Sequence, residues 1–305
     1  MDRRERLMGY LLVLLGSTLF ASKAIFIKLA YRELPDAMVM LVWRMIFSLP
    51  FFAATWVYAA RHPRPARQGW ARSVTSAILA GLVGYYLAMI FDFMGLLYVS
   101  AQLERLALFT YPVFVMLLGA VFLGQRLTLG NILPALLAYL GLTIIFLSDL
   151  SATGSAIWLG TGLVLASALA FAIYQLWAKE LITVMGSLLF TSIALTSASI
   201  TSIAHFFIAR GVPPIESSSF MALAFATAVI ATVIPSYLVN AGMSRIGAQS
   251  TAMISTISPL FTIGLAVMLL NEKFQLREAF GTALVVGGIG SHTLRDLRGT
   301  RTPSP

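Results

Sequence analysis

The sequence has no cysteine and few charged residues. Without cysteine the chain forms no disulfide, performs no thiol redox chemistry and holds no Cys-ligated zinc or iron–sulfur centre. Charged residues make up 11% of the 305 residues and hydrophobic residues 59%. Soluble domains usually carry about a quarter charged residues. The chain therefore has too little polar surface to cover a soluble particle, and its composition predicts a membrane protein.

Motifs of catalysis and nucleotide binding are also missing. The sequence has no HExxH, no Gly-x-Ser-x-Gly, no phosphate-binding loop and no His/Asp/Glu cluster at metal-ligand spacing. His62, His205 and His292 lie on separate segments. We therefore expect no enzyme activity, no cofactor and no metal site. The net charge is +9, but no basic segment combines with an aromatic recognition surface. Nucleic acid is therefore not an expected partner.

Apolar runs recur along the whole chain and leave almost no room for a domain outside the membrane. Each run must be a helix, because a lipid-exposed backbone satisfies its own hydrogen bonds and the runs lack the alternation of a barrel strand. The sequence predicts an all-α integral membrane protein with ten transmembrane helices, at approximately 8–30, 37–59, 73–98, 101–123, 130–148, 156–178, 187–209, 218–242, 249–270 and 277–294.

The distribution of Lys and Arg predicts the orientation. If the N-terminus is cytoplasmic, thirteen cations fall in inner segments, five in outer segments and three inside the runs. This bias follows the positive-inside rule and places both termini in the cytoplasm. The first run follows the basic segment 1–6 and stays apolar beyond the length of a signal-peptide core, which favours a retained helix over a cleaved signal. The basic charge also predicts contact with anionic membrane lipid.

An internal repeat divides the chain. Residues 95–149 align without gaps with 242–296, and Ser17 and Leu19 pair with Ser167 and Leu169 at a slightly different offset. The identical pairs include Gly95/Gly242, Ala101/Ala248, Gln102/Gln249, Pro112/Pro259, Gly141/Gly288 and Asp149/Asp296. Because five helices per half is an odd number, the second copy enters the membrane from the opposite side. The sequence predicts two inverted five-helix repeats, 1–149 and 150–305, with a substrate site near the midplane between them.

These features resemble a known family. The order of ten helices in two halves, the segments Tyr111-Pro112-Val113-Phe114 and Ser258-Pro259-Leu260-Phe261, and the Asn271-Glu272-Lys273 that follows are similar to the EamA-type drug/metabolite transporter superfamily. The resemblance implies a bacterial inner-membrane exporter of amino acids or other small metabolites. Overall likeness and aromatic content favour an aromatic amino acid exporter of the YddG type. One departure is that Glu272 corresponds to Gln125 in the first half.

Ionisable residues inside the runs are the candidates for the site, because a charge in hydrocarbon costs about 2.5 to 3.5 kcal/mol on insertion scales. At 1.5 Å per residue, all of them fall within about 10 Å of the outer surface. The predicted site is a polar cavity open to the periplasm, in which Asp92 or Glu104 meets an amino group and Arg44, Lys23 or Arg105 a carboxylate. Internal ion pairing, for instance of Asp92 with Arg105, is the alternative. The six residues are Lys23, Arg44, Asp92, Glu104, Arg105 and His205.

An apolar wall accompanies these charges on the third run. Tyr85, Met89 and Asp92 are spaced i, i+4, i+7 and share one helix face, which would suit a substrate with an apolar side chain. Ordinary helix packing is the alternative. Tyr174 and Trp177 lie near the inner end of the sixth run, where an aromatic belt is expected.

Prolines interrupt several runs. Pro112 and Pro259 occupy matched positions near the middle of the fourth and ninth runs, where a lost backbone hydrogen bond makes a kink. We expect these kinks to act in gating, with a static kink as the alternative. Ser258 beside Pro259 either satisfies freed carbonyls or faces the substrate.

The sequence and the resemblance therefore predict a secondary transporter that exports amino acids, with aromatic ones among the candidates, or similar small metabolites by alternating access. An integral-membrane enzyme acting on lipid and a scaffold without transport activity are the alternatives. The enzyme would need clustered acid/base groups or metal ligands. The scaffold would need helices without a polar cavity between them.

Overall fold

A computed structural model describes residues 3–61, 70–123, 129–153, 155–255 and 258–299. Every regular element in these ranges is a helix. The α-helices are α1 (Arg3–Ala21), α2 (Lys23–Tyr31), α3 (Ala37–Arg61), α4 (Trp70–Gly81), α5 (Ala88–Gly95), α6 (Ala101–Leu108), α7 (Tyr111–Leu123), α8 (Leu129–Thr153), α9 (Ala156–Met185), α10 (Ser187–Arg210), α11 (Ser218–Ala228), α12 (Ile234–Ser255), α13 (Ser258–Leu265) and α14 (Leu276–Gly299). Two π-helical segments, Leu82–Leu87 and Val229–Val233, join neighbouring helices end to end, and a third, Ala266–Leu270, extends α13.

Seven helices in the described ranges are long and apolar enough to cross a membrane. Each coincides with one predicted run. Two shorter apolar helices, Leu136–Leu147 and Ser258–Leu270, lie on the fifth and ninth predicted runs. The all-helical membrane class is thus confirmed, whereas ten crossings remain a prediction. The seven helices are Arg4–Tyr31, Ala37–Ala59, Trp70–Gly95, Ala101–Phe122, Ala156–Met185, Ser187–Arg210 and Ser218–Met243.

One predicted boundary differs from the structure. The polar stretch 243–248, expected between the eighth and ninth runs, lies inside α12. Arg245 holds this turn in helical form, because its Nη1 donates to the Ala241 carbonyl at 2.6 Å and its Nε to Glu5 at 3.2 Å. Gly242 meanwhile packs directly on α1. Tertiary contacts thus keep a loop-like sequence helical.

Close antiparallel helix pairs form the bundle, and glycines permit their approach. On α1 and α12, Gly9 lies beside Ile246 and Gly16 beside Val239, so residue numbers rise along one helix and fall along the other. On α5 and α9, Gly95 likewise lies beside Val164. A β-carbon at Gly242 would lie 2.5 Å from Cγ2 of Val13, which explains why a residue without a side chain stands there.

The end of the bundle opposite Arg3 is called here the distal face. It carries the loops 32–36, 211–217 and 271–275. Arg32 donates to the Leu270 carbonyl at 3.1 Å, and Trp43 donates to the Pro214 carbonyl at 2.8 Å. Arg210 pairs with Asp36, and Ser217 hydrogen-bonds to Glu33. The distal ends of the first and second halves of the chain are therefore joined by several polar contacts.

Candidate functional site

Lys23 stands at a break in the first apolar helix. The α-helical pattern stops at Ala21 and resumes at Lys23, and the Ser22 hydroxyl donates to the Leu19 carbonyl at 2.7 Å. The Ala21 carbonyl accepts a hydrogen bond from the Thr262 hydroxyl at 2.9 Å. Because α13 supplies this donor, the break is satisfied inside the protein and not by lipid or water.

The Lys23 ammonium contacts two carboxyl groups. Its Nζ lies 2.5 Å from Oδ2 of Asp92 and 3.0 Å from Oε1 of Glu104. The side chains of the three residues are 11%, 5% and 0% exposed, so the cluster is shut off from solvent. Asp92 pairs with Lys23, whereas Arg105, its partner in the sequence-based alternative, donates to a serine. Ion pairing inside the protein is therefore present, with different partners from those expected.

Glu104 is completely buried although it lies only three residues from the start of α6. Ala101, at which α6 begins, is itself fully buried. The loop 271–275 covers it, and Glu272 accepts hydrogen bonds from the backbone N–H groups of Ala101 at 2.8 Å and Gln102 at 3.3 Å. Burial raises the pKa of the Glu272 carboxyl, and the two N–H donors act in the opposite direction. A segment remote in sequence thus brings the start of α6 inside the protein.

The same contact explains the Asn271-Glu272-Lys273 motif. Asn271 adopts the left-handed conformation (φ 56°) that ends the preceding helix, Glu272 caps α6, and the Lys273 carbonyl accepts from the Gln102 side chain at 3.1 Å. The role of Glu272 is to hold another helix end. Its counterpart Gln125 lies outside the described residues.

Ser258 connects Arg105 with α1. Its hydroxyl accepts from Nη2 of Arg105 at 2.6 Å and donates to the Ser17 carbonyl at 3.1 Å. The Ser17 and Ser255 hydroxyls lie 3.0 Å apart. Ser255 at the end of α12 and Ser258 at the start of α13 therefore both hydrogen-bond to α1. Nε of Arg105 is buried and has no hydrogen-bond partner.

Arg44 is buried between α3, the second π-helical segment and α5. Its Nε donates to the Thr232 hydroxyl at 2.9 Å, and its Nη1 lies 3.1 Å from the Met89 sulfur. The guanidinium stands over the Phe93 ring, 5.2 Å from the centroid. Arg44 also interacts electrostatically with Asp92 and with Tyr85. The helix face predicted for Tyr85, Met89 and Asp92 therefore meets two cations, because Met89 contacts Arg44 and Asp92 contacts Lys23.

The π-helical segments help to place these partners. Leu82–Leu87 includes Tyr85, and Val229–Val233 includes Thr232. The Thr232 hydroxyl donates to the Thr227 carbonyl at 2.7 Å, five residues earlier, while its oxygen accepts from Arg44. A π-turn shifts the hydrogen-bond ladder by one residue and is frequent at functional sites. No periodicity in the sequence revealed either segment.

An aromatic group lies on the proximal side of this site, towards the end that carries Arg3. Tyr85 and Tyr174 meet edge to face with ring centroids 4.9 Å apart, and their hydroxyls lie 3.4 Å apart. Phe171 stacks on Tyr174 at 5.5 Å and meets Tyr111 at 5.1 Å. Tyr174 is 6% exposed, so its expected place in an aromatic belt is wrong, whereas Trp177 is 43% exposed. The error arose because position along a helix does not say which face is buried.

Pro112 and Pro259 occupy the first turns of helices and not mid-helix positions. Each is the second residue of its helix, α7 or α13. A proline in the first turn removes a donor that would be unsatisfied anyway. The chain breaks before α7 at Phe109 and Thr110, where the Thr110 hydroxyl donates to the Ala107 carbonyl at 2.7 Å. The interruption expected from Pro112 is therefore present as a break between two helices.

The predicted residues form two neighbouring groups. Lys23 and Asp92 are in direct contact, as are Arg44 and Met89. Glu104 also contacts Lys23, and Arg105 contacts Ser258. In the described part of the chain neither Arg44 nor Arg105 has a carboxylate within salt-bridge distance, and no group of three metal-ligating side chains occurs. The site thus contains a buried guanidinium, Arg44, and a half-buried one, Arg105, and neither directly contacts a carboxylate of the described residues.

Long apolar helices around buried charges define a multi-pass membrane protein. The chain belongs to the EamA-like transporter family, whose sequence model matches residues 7–147 and again 158–291. The family assignment made from the repeated Pro-Phe segments is thereby confirmed. Membership of a family of membrane transporters points to a transporter rather than an enzyme.

Curated relatives agree with this assignment. The uncharacterized transporter YcbK of Bacillus subtilis (strain 168) is 29% identical over 304 residues, covering 97% of this chain and 96% of that protein. The uncharacterized transporter sll1319 of Synechocystis sp. (strain ATCC 27184 / PCC 6803 / Kazusa) is 25% identical over 93% of this chain and 92% of its own. A crystal structure, titled only as that of a protein, superposes with TM-score 0.62 at 18% identity, covering 99% of this chain and 100% of that one. The last similarity concerns the fold alone.

Proposed function

We propose that the protein is a secondary transporter that exports amino acids or similar zwitterionic metabolites across the bacterial inner membrane by alternating access. The observation that carries the proposal is a pair of guanidiniums, buried Arg44 and half-buried Arg105, that contact no carboxylate directly in the described residues and lie beside a cluster of one ammonium and two carboxyl groups. A buried cation without an anion is costly, because it has lost its hydration. The carboxylate of a substrate would supply the missing anion, and Asp92 or Glu104 would accept its amino group.

Matched contacts support a duplicated architecture of 1–149 and 150–305. Gly95 lies beside Val164 and the Gly160 carbonyl, and Gly242 lies beside Val13 and the Gly9 carbonyl. The contact between the third and sixth predicted helices thus recurs between the eighth and the first. The first helix corresponds to the sixth at an offset of 151 residues, and the third to the eighth at an offset of 147. The π-helical segments begin at Leu82 and Val229, again 147 residues apart. The two family matches begin 151 residues apart, at 7 and 158.

The antiparallel contacts support an inverted arrangement of the copies. Arg44, early in α3, contacts Met89 late in the third predicted helix, so that helix runs antiparallel to α3. The short loop 32–36 makes the first helix antiparallel to α3 as well, so the first and third helices run in the same direction. Because α5 packs antiparallel to α9, α9 runs opposite to the third helix and also to α1, its own counterpart. Two copies in opposite orientation are the arrangement that alternating access uses in secondary transporters.

The aromatic group supports a substrate with an aromatic side chain. Tyr85 interacts electrostatically with Arg44 and Tyr111 with Arg105, and Tyr174 and Phe171 contact these two rings. An amphipathic molecule would therefore find charges at one end and rings at the other. The proposed transporter is therefore an aromatic amino acid exporter of the YddG type. The cation bias of the loops supports cytoplasmic termini and a periplasmic distal face. Pro112 and Pro259, each in the first turn of a helix, remain our proposed gating points.

Counterflow into proteoliposomes tests the proposal. Purified full-length protein is reconstituted in vesicles loaded with an unlabelled amino acid, and uptake of radiolabelled L-phenylalanine, L-leucine and L-phenylalanine amide is measured. We expect uptake of the amino acids and poor uptake of the amide, which lacks a carboxylate. Absence of counterflow for every amino acid by folded protein would overturn the proposal and favour a scaffold or another substrate.

Arginine variants link this transport to the site. Losing a hydrogen bond to a charged group costs about 1.5 to 3 kcal/mol, roughly 10- to 150-fold in affinity. Arg44→Gln and Arg105→Gln should therefore raise the KM for phenylalanine by that factor and reduce the discrimination against the amide. Arg277→Gln is the matched control, because Arg277 is exposed on the distal side. Equal KM values in all three variants would remove the arginines from the substrate site.

A further inference from the structure

The cluster of Lys23, Asp92 and Glu104 has one cation for two carboxyl groups. Glu104 is completely buried and Asp92 is 3% exposed. Oδ1 of Asp92 and Oε2 of Glu104 are buried and have no hydrogen-bond partner. Both carboxyl groups contact the same Lys23 Nζ, Asp92 at 2.5 Å and Glu104 at 3.0 Å, which holds them close to each other. Two ionised carboxylates repel each other at this range, whereas one shared proton turns the repulsion into a hydrogen bond.

We propose that Asp92 and Glu104 hold one exchangeable proton between them, and that the ammonium group of a substrate displaces this proton, so that amino acids are exchanged against protons. The inference deepens the proposed function and rests on it. The unpartnered oxygens form an acceptor position that takes either a proton or an N–H donor. Two ligands that exclude each other at one site are the requirement for exchange in opposite directions. A proton gradient directed into the cell would then drive export.

A proton fits this position better than a metal cation does. The Lys23 ammonium already occupies the place between the carboxyl groups that a metal ion would need, at 2.5 and 3.0 Å from their oxygens. Oxygen-ligated cations require several oxygen ligands around one centre. Within the ranges that the structure describes, no group of three metal-ligating side chains is present. The coupling ion is therefore inferred to be the proton.

The surrounding ionisable groups keep the proton exchangeable. Lys23 and Tyr31 on α2, Arg44 on α3 and Arg105 on α6 all interact electrostatically with one of the two carboxyl groups. Only Lys23 contacts them directly, because Arg44 bonds to Thr232, Arg105 bonds to Ser258 and the Tyr31 hydroxyl donates to the Phe93 carbonyl. The cations favour ionised carboxyl groups, whereas burial and carboxylate repulsion oppose ionisation. Opposing effects of this kind allow the proton to leave when a competing cation arrives.

The second repeat does without this cluster. At the offsets of 151 and 147 residues, the positions of Lys23, Asp92 and Glu104 correspond to Tyr174, Val239 and Thr251. The corresponding helices form without the three charges, so a five-helix unit of this kind does not need them in order to fold. A buried ion cluster is also weak evidence for stability, since apolar residues often replace one without loss. The asymmetry leaves one proton site per molecule and therefore predicts one proton per substrate exchanged.

Infrared titration tests the site without any substrate. A protonated buried carboxyl group shows a C=O absorption separate from that of ionised carboxylates, and solubilised full-length protein is titrated while this band is recorded. We expect one such band in the wild type at neutral pH and its loss in Glu104→Gln and in Asp92→Asn. Glu180→Gln is the control, because Glu180 is exposed. A wild type without the band, or a band that persists in both site variants, would overturn the inference.

Coupling is tested with the pH dependence of counterflow. If one proton competes with the substrate, the KM for L-phenylalanine rises about tenfold for each pH unit below the carboxyl pKa. The KM of Glu104→Gln should change less than twofold over the same range. Phenylalanine transport with a KM independent of pH would refute proton exchange and leave the proposed function intact. If phenylalanine is not transported, the proposed function fails, and the infrared band alone decides whether the proton site exists.

Discussion

A β-carbon on Gly95 would lie 2.6 Å from Cγ2 of Val164 and 3.0 Å from the Gly160 carbonyl oxygen. Gly95→Ala should therefore separate α5 from α9 and destabilise the protein by about 1 to 3 kcal/mol, the usual effect of overpacking. Thermal unfolding in detergent measures the loss. Val164→Ala in the same chain should restore part of it, because the nearest obstructing atom is then gone.

Gly162→Ala provides the matched control on α9, where nothing lies within 4 Å of an added β-carbon. Alanine is favoured over glycine in a helix interior by about 0.5 to 1 kcal/mol, so this variant should be neutral or slightly more stable. Equal destabilisation by both alanines would contradict the close crossing at Gly95.

Ser258→Ala removes the acceptor of Arg105 and the donor to the Ser17 carbonyl. Leaving a buried charged donor unsatisfied costs about 1 to 3 kcal/mol, so we expect a lower unfolding temperature together with altered phenylalanine affinity. Thermal unfolding and counterflow are compared on the same preparation. Ser155→Ala should change neither, because Ser155 is exposed and makes no side-chain cap.

Glu272→Ala should loosen the beginning of α6. The carboxylate satisfies two backbone N–H groups, and loss of a helix cap costs about 0.5 to 2 kcal/mol. Hydrogen exchange at Ala101 and Gln102 should accelerate more than exchange elsewhere in the bundle. Lys273→Ala should leave it unchanged, because that residue contributes its backbone carbonyl and its side chain is exposed. Unchanged protection in Glu272→Ala would show that α6 is held by other contacts.

Tyr85→Leu should reduce the preference for aromatic over aliphatic amino acids. Aromatic pairs contribute about 0.5 to 1.5 kcal/mol beyond their buried area, roughly 2- to 13-fold in selectivity. The ratio of kcat/KM for phenylalanine to that for leucine measures this preference. Trp177→Leu removes an exposed ring from α9, one turn after Tyr174, and should leave the ratio unchanged. A constant ratio in Tyr85→Leu would place the aromatic group outside the substrate path.

Composition and apolar run length were sufficient to predict the membrane class and the positions of seven helices. The boundary at 243–248 was wrong because Gly242 and Arg245, typical of a loop, are held in α12 by Val13 and Glu5. The break at Ser22 was not foreseen, because it depends on the Thr262 hydroxyl and hence on contact with a distant helix.

The buried charged residues of the candidate site could be named from the sequence, but their pairing could not. Lys23, Asp92 and Arg44 stood out because a charged side chain within an apolar run is costly in hydrocarbon and is therefore a functional candidate. The position of Glu104 near a helix end did not reveal its complete burial, because that position says nothing about the segments that cover the helix end. Lys23 contacts Glu104 because the start of α6 lies inside the protein, and Glu272 holds it there.

The contact between Glu272 and Ala101 also sets a time scale for assembly. The two residues are 171 positions apart, and a ribosome adds about 5 to 20 residues per second. Roughly 10 to 30 s therefore pass between the synthesis of Ala101 and that of Glu272, which caps α6. During that interval the N–H groups of Ala101 and Gln102, and the charge of Glu104 behind them, lie in or near the membrane without their final cover. Slower synthesis of the second half should prolong this exposure and make the unfinished chain a substrate for membrane proteases.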